Sequence, residues 1–231
     1  MTAPAAEAVD PSWKALYRWG GILLMIAGLL DLLVIALFLP LVSSITTGDA
    51  ALKNLAGQAL LAQIAFGIDG LDVLFTLPAV LALYLALKGI NRNAMLVAAA
   101  SLGVFTALHL SAVPSTLSLV TLSQNYAAAT SDAQRAAYAA VSNYVYYTTV
   151  TLEPIYILVA SIGILIICFV MLKGIFSRGV AYLGIAAGIL GIVLMLGLLV
   201  PALLTLDIVF LLLVAIWNLL VGFKLYRLGR S

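Results

Sequence analysis

Long apolar runs separated by short polar segments make up most of the 231-residue chain. Each run exceeds about 18 residues, the length at which an apolar helix can cross a bilayer. The sequence lacks the alternation of apolar and polar residues that marks the strands of a membrane β-barrel, so the predicted spans are helical. Six spans are predicted, at about residues 13–41, 60–87, 94–122, 143–172, 180–200 and 203–226.

The pattern therefore predicts an all-α protein, a polytopic bundle of six transmembrane helices. We expect one transmembrane domain, residues 13–231, preceded by a small polar tail, residues 1–12. Low hydrophobicity and small side chains are typical of disorder, so the tail is predicted to be disordered.

Two of the connecting loops, residues 43–59 and 123–142, are longer than the others. Each carries a helix-start signal, TGDA at 47–50 and TSDA at 130–133, followed by alanine-rich amphipathic sequence. The prediction is a short amphipathic helix on the outer membrane surface in each loop.

The lysines and arginines indicate an orientation. With six spans, nine of the eleven fall on one side of the membrane and two, Lys53 and Arg135, on the other. Loops rich in positive charge stay in the cytoplasm, so both termini are predicted to be cytoplasmic in a multi-pass protein of the cell (inner) membrane. The nine residues on the cytoplasmic side are Lys14, Arg18, Lys88, Arg92, Lys173, Arg178, Lys224, Arg227 and Arg230.

Composition narrows the classes of partner and cofactor. Hydrophobic residues make up 65% of the chain and charged residues 9%, against about 25% charged in soluble domains, so the lipid bilayer is the main expected partner. The net charge of +2 does not suggest nucleic acid. One cysteine, Cys168, allows no intramolecular disulfide. No lysine lies mid-span to hold retinal, and one histidine cannot provide the two ligands of a membrane b-haem. No cofactor is recognisable, and a bound cation is compatible with the sequence.

Five of the nine acidic residues lie inside the predicted spans, and the basic group with them is the single histidine, His109. A carboxylate in hydrocarbon costs several kcal/mol unless it is protonated, paired or hydrated, which makes such residues candidates for a functional site. Counting about 1.5 Å per residue from the basic anchors places all six groups roughly 20–30 Å from the cytoplasmic surface. We call this predicted set the polar layer; its members are Asp31, Asp69, Asp72, His109, Glu153 and Asp207.

Other polar side chains share helical faces with the layer, at spacings of three, four, seven or eleven residues. We expect them to support the site from the bundle interior: Thr76, Thr106, Thr149, Tyr146, Tyr156 and Asn218. The fifth span has no ionisable residue in its interior, and Gly184, Gly188 and Gly191 give it a small-residue face that favours close helix packing. It is predicted to be scaffold.

Two segments near the C-terminus carry a family resemblance, FSRGVAYLG at 176–184 and WNLLVGFKLYRLG at 217–229. The chain resembles a family of prokaryotic integral membrane proteins described as domain of unknown function 4386. The resemblance implies a six-helix bacterial or archaeal membrane protein and brings no activity, substrate or catalytic residue with it.

Three functions are compatible with this pattern. The first is proton- or cation-coupled transport or permeation, with Asp31, Asp72, Asp207 and His109 as the central site. The second is a structural or sensory subunit of a membrane complex, either a homo-oligomer or one with a partner subunit. The third is an intramembrane enzyme that uses His109 as a base. The sequence shows no recognisable nucleophile arrangement, and we do not expect an enzyme.

Overall fold

The computed structural model describes residues 11–42 and 45–230. All regular secondary structure in those residues is helical, which confirms the predicted all-α class. The α-helices are α1 (Lys14–Val42), α2 (Gly48–Ala56), α3 (Ala59–Ala128), α4 (Asp132–Met171), α5 (Arg178–Met195) and α6 (Asp207–Leu228). Short 3₁₀ helices cover Pro11–Trp13, Leu196–Leu198 and Pro201–Leu206. The predicted disordered tail lies outside the described residues except for Pro11 and Ser12.

Helix α3 contains two of the predicted spans and folds back on itself at Asn91. This residue leaves the helical region, with φ −154° and ψ 92°, and its side-chain oxygen accepts a 3.0 Å hydrogen bond from the backbone N–H of Ala94. Asn91 therefore caps a new helix start. The first arm (59–90) and the second arm (92–128) run antiparallel, since a Cβ on Gly70 would lie 3.4 Å from Val113.

The short helix predicted in residues 43–59 is present as α2, and its position on the outer membrane surface stays a prediction. Thr47 caps it by accepting a 3.1 Å hydrogen bond from the N–H of Ala50. The N–H of Gly48 donates to Asn143 Oδ1 at 2.9 Å, and the hydroxyl of Ser142 donates to the carbonyl of Gly48 at 2.9 Å. A Cβ on Gly48 would collide with the backbone of both partners, so a glycine is required for this close approach of α2 to α4.

The second predicted surface helix, in residues 123–142, is wrong as a separate element. Its residues belong to the ends of α3 and α4, which leave only positions 129–131 as a connection. The sequence contains neither glycine nor proline between Asp132 and Pro154, so nothing stops the helix. The first loop differs because Gly57 follows α2 directly. At 40 residues, α4 is about 60 Å long, against about 30 Å of hydrocarbon, and its exposed N-terminal part extends beyond that thickness.

The connection between α5 and α6 also differs from the prediction. Instead of two spans at 180–200 and 203–226 that follow each other almost directly, two 3₁₀ segments separate the helices. Pro201 is the first residue of the second 3₁₀ segment, a position at which its missing backbone N–H costs no hydrogen bond within the helix. Helix α6 begins at Asp207. The carboxyl group of Asp207 therefore lies in the first turn of the helix and not in its interior.

The long helices form a ring. Helix α1 packs against α6 and α3, α4 against α3 and α5, and α5 against α6. On α1, a Cβ at Gly20 would meet Ala79 and Ala82 of the first arm. On α4, a Cβ at Gly163 would meet Ala98 and Leu102 of the second arm. The order around the ring is therefore α1, first arm, second arm, α4, α5, α6.

The two ends of the ring are packed differently. The largest buried cluster lies at the end that we call the basic end, where both described termini meet and where Gly229 approaches the backbone of Lys14 and Arg18. Two smaller buried clusters lie away from the basic end, and one of them includes Ala51 and Leu55 of α2. Asp31 on α1 and Asp69 and Asp72 on the first arm fall between the cluster of the basic end and the clusters of the opposite end.

The outer surface of the ring is apolar. Five of the described helices are long and apolar enough to cross a membrane, and α3 counts once among them. Large side chains point outward from successive helices, among them Leu29 (58% exposed), Leu81 (56%), Phe169 (56%) and Ile189 (55%). A continuous apolar exterior is what lipid, rather than water, covers.

Candidate functional site

The polar layer draws its side chains from α1, both arms of α3, α4 and α6. Asp31 lies on α1, Asp69 and Asp72 on the first arm and His109 on the second arm. Glu153 lies on α4 and Asp207 on α6. Asp31 and Asp72 are 8% and 9% exposed, whereas the side chain of Asp69 is 31% exposed. The layer therefore has a buried part and a more accessible part.

His109 and Asp69 form the shortest contact in the layer. His109 Nε2 lies 2.8 Å from Asp69 Oδ2, across the two arms of α3. The other ring nitrogen, Nδ1, is buried and has no hydrogen-bond partner among the described residues. With Nε2–H donating to Asp69, Nδ1 of a neutral ring is a buried base, and a protonated ring forms an ion pair with the carboxylate.

Two aromatic rings surround the histidine. Tyr156 of α4 lies over it, with ring centroids 4.7 Å apart and an interplanar angle of 32°. Phe105 approaches edge-on at 5.6 Å and 89°. Sequence reasoning named Tyr156 but missed Phe105, although Phe105 precedes His109 by four residues and so shares its helical face. The rings restrict the imidazole to the orientation in which Nε2 meets Asp69.

Asp31 and Asp72 form the buried part of the layer. Their carboxyl groups interact with each other through a side-chain hydrogen bond between α1 and the first arm. Asn218 of α6 donates from Nδ2 to Asp31 Oδ2 at 3.0 Å. Asp72 Oδ1 is buried and finds no hydrogen-bond partner within residues 11–42 and 45–230. Asn218 is the supporting residue that contacts a carboxyl group of the layer directly.

Asp69 connects the two parts of the layer. It interacts electrostatically with Asp31 and Asp72 on one side and with Glu153 and Asp207 on the other. Glu153 and Asp207 also interact with each other. Asp207 lies in the first turn of α6, directly after the 3₁₀ segment Pro201–Leu206. Its Oδ1 is buried without a hydrogen-bond partner in the described part of the chain.

The hydroxyl groups of the remaining supporting residues donate hydrogen bonds to backbone carbonyls. Thr76, Thr106 and Thr149 each donate a hydroxyl to a carbonyl three or four residues earlier on the same helix, at 2.7–3.0 Å. Tyr146 donates to the carbonyl of Ile45 at 3.3 Å, near the start of α2. These hydroxyls are satisfied locally and do not bridge the carboxyl groups of the layer.

The arrangement suits proton chemistry. A histidine paired with a carboxylate, together with a pair of interacting carboxyl groups, provides several sites that can gain or lose a proton. In residues 11–42 and 45–230, no three His, Cys, Asp or Glu side chains converge to hold a metal ion. The one described cysteine, Cys168, is fully buried against Trp217 at the basic end.

The helical ring, with its apolar exterior and a polar layer inside, defines the class: an integral membrane protein with several apolar helices. Residues 26–226 match a protein family, and the chain belongs to it; the family is described as Domain of unknown function (DUF4386). This match confirms the predicted resemblance. No curated protein and no solved structure matches the chain.

Proposed function

We propose that the protein moves protons across the membrane through the polar layer, either alone or coupled to a second solute. The observation that carries the proposal is the chain of titratable contacts across three helical segments. His109 Nε2 lies 2.8 Å from Asp69 Oδ2. Asp69 interacts electrostatically with Asp72, and the carboxyl group of Asp72 is hydrogen-bonded to that of Asp31. Ionisable groups placed in succession inside a bundle are the usual elements of an intramembrane proton path.

The proposed path enters at Asp69. Its side chain is 31% exposed, while His109 is 12% exposed and Asp31 only 8%. Accessibility therefore decreases from Asp69 inward, as an entrance followed by a buried binding site requires. Asp69 also interacts with Glu153 and Asp207, which extend the negative potential of this entrance and favour the approach of a cation.

The proposal includes an orientation in which each arm of α3 spans the bilayer, giving six spans with both termini in the cytoplasm. The close approach of Gly229 to Lys14 and Arg18 supports it, because it brings basic residues from both ends of the chain to one end of the ring. Asp69 then opens toward the outer face of the inner membrane.

Proton flux tests the function. Purified protein is reconstituted into liposomes with a trapped pH-sensitive dye, and a pH gradient is imposed with a potassium ionophore to balance charge. We expect a dye response above that of empty liposomes, lost in Asp69→Asn and Asp72→Asn. The matched control is Asp132→Asn, since Asp132 is a fully exposed acid at the start of α4. Flux equal to that of empty liposomes, with protein correctly folded, would argue against proton movement by the chain alone.

A second measurement covers coupled transport and the subunit alternative. If protons move only with a solute, flux appears when candidate solutes are added to one side, and Asp72→Asn abolishes it. Absence of flux under every gradient, together with a stoichiometric protein partner in mild detergent, would favour a structural or sensory subunit instead.

Cysteine labelling tests the orientation with little background, because Cys168 is 0% exposed. Gln124→Cys is exposed near the opposite end and Gly179→Cys is exposed near the basic end. In cells whose outer envelope admits the reagent and whose inner membrane is intact, we expect a membrane-impermeant maleimide to label position 124 at once. Position 179 should be labelled only after lysis. The reverse result would invert the proposed orientation.

A further inference from the structure

We propose that Asp31 and Asp72 share one proton. Asp72 is the protonated acid, and the carboxylate of Asp31 accepts a hydrogen bond from it. This inference deepens the proposed function, since it names the group that holds the proton in that layer. It concerns a bound proton at equilibrium, so its test does not depend on transport.

The contact between the carboxyl groups requires a proton. Two carboxylates have only acceptor oxygens, so a hydrogen bond between Asp31 and Asp72 forms only when one of them is protonated. Like charges at such a distance disfavour ionisation of both groups. The side chains that act on this pair are Asp69 from the first arm and His109 from the second arm. Together these two carry no net charge when His109 is protonated and one negative charge when its ring is neutral, so they do not offset two further negative charges.

Asn218 decides which carboxyl group stays charged. Its Nδ2 donates to Asp31 Oδ2 at 3.0 Å, and a donated hydrogen bond favours the ionised form of a carboxyl group. Asp31 then accepts two hydrogen bonds, one from the amide of Asn218 and one from the acid of Asp72. Asn218 acts through Asp31 and is a positioning residue.

The unpartnered oxygen of Asp72 indicates the protonated group. Asp72 is 9% exposed, and its Oδ1 has no hydrogen-bond partner in the described ranges. A buried unpaired oxygen is far more costly on a carboxylate than as the carbonyl oxygen of a neutral acid. With the acid on Asp72, the hydroxyl donates to Asp31 and the carbonyl oxygen is the unpaired atom.

The same geometry defines a route for the proton. Asp72 and Asp69 are three residues apart on one face of the first arm. When Asp72 loses its proton, the proton passes to the Asp69–His109 pair and leaves two carboxylates on Asp31 and Asp72. The reverse transfer restores the shared proton, and no other species is consumed.

Infrared difference spectroscopy tests the shared proton directly. A protonated carboxyl group has a carbonyl band that is separate from the carboxylate bands and shifts in D₂O. At neutral pH we expect a protonated-acid band in the wild-type protein with a component that is lost in Asp72→Asn and retained in Asp132→Asn. Absence of the band in the wild type, or its full retention in Asp72→Asn, would overturn the proposal.

Two further variants keep the test independent of the stability of Asp72→Asn. In Asp31→Asn the acid of Asp72 loses its charged acceptor, so we expect the band to shift in frequency. In Asn218→Leu the donor to Asp31 is lost and the proton moves toward Asp31, so we expect a shift of the band with its total intensity kept. Spectra identical to the wild type in both variants would contradict the assignment.

Flux measured on the same samples separates the two proposals. A band that behaves as expected in a protein without proton flux leaves the shared proton standing and rejects transport. Flux that persists without a protonated acid on Asp72 rejects the shared proton and leaves transport standing.

Discussion

The basic end of the ring is filled mainly by apolar side chains and close backbone contacts, whereas the polar layer holds the buried ionisable groups. At the basic end, α1 and α6 approach so closely that a Cβ on Gly222 would lie 2.7 Å from the carbonyl oxygen of Gly21. Tyr17 and Leu225 are fully buried in the cluster beside this crossing. In the layer, buried oxygen and nitrogen atoms of Asp72, His109 and Asp207 have no hydrogen-bond partner among the described residues.

The difference indicates a division between stability and chemistry. Close helix packing with small residues at the contact is a main source of stability between helices in lipid, where apolar surface alone gives little preference. Unsatisfied buried polar atoms lower stability and persist where they serve a function. We therefore expect substitutions at the basic end to lower the free energy of unfolding, and substitutions in the layer to change function with little loss of stability.

The largest expected effect is that of Gly222→Ala. The new methyl group would meet backbone atoms of α1, Gly21 O at 2.7 Å and Met25 N at 2.9 Å, and backbone cannot move aside as a side chain can. We expect the free energy of unfolding to fall by about 3 kcal/mol, at the upper end of overpacking effects. Thermal unfolding in detergent, followed by circular dichroism, measures the change.

Gly103→Ala is the matched control for this prediction. Gly103 is also helical, and a Cβ there meets nothing within 4 Å. Alanine should therefore leave stability unchanged or raise it by up to about 1 kcal/mol through helix propensity. Equal unfolding temperatures for the two variants would show that the basic end is not the main source of stability.

The sequence predicted which residues are polar inside the membrane but could not predict their partners. The helical period placed Asp69 and Asp72 on one face of a helix, and in the structure both lie in the polar layer. The pairs His109–Asp69 and Asn218–Asp31 join positions 40 and 187 residues apart, and such pairs depend on which helices are neighbours in the ring. That these groups serve one function stays a prediction.

Local signals predicted helix ends unequally well. The signal at 47–50 marks the start of α2 correctly, because the capping side chain of Thr47 acts on the adjacent backbone. The similar signal at Ser131 also caps a helix, through a 3.3 Å hydrogen bond from Gln134 N–H. The capping signal does not indicate how long the following helix is. The residues of α4 were therefore predicted as a short surface helix and a separate span.

An intermediate effect is expected for Asp72→Leu in the layer. Leucine has the same branched shape as aspartate, with larger terminal groups. It removes the buried oxygen that lacks a partner in the described residues, and it also removes the side chain that bonds Asp31. Losing an unsatisfied buried oxygen raises stability and losing the hydrogen bond to Asp31 lowers it, so we expect the free energy of unfolding to stay within about 1–2 kcal/mol of the wild type. Proton flux should be lost in the same variant.

Thermal unfolding and the liposome flux assay on one preparation check this prediction. The control is Asp132→Leu, which alters an exposed acid and should leave flux unchanged. A fall in stability as large as that of Gly222→Ala would show that Asp72 is structural, and the contrast between the two regions would not hold.

The smallest effect is expected for Thr106→Val, which separates two kinds of polar residue among those that support the layer. Thr106 is 4% exposed and donates its hydroxyl to Leu102 O at 2.9 Å within its own helix. Asn218, 5% exposed, donates to a carboxylate on another helix. Valine nearly matches the shape of threonine, and the carbonyl of Leu102 keeps its place in the helix. We expect a loss below about 1 kcal/mol and unchanged flux for Thr106→Val, but reduced flux for Asn218→Leu. Equal flux in both variants would mean that contacts between helices do not define the working part of the layer.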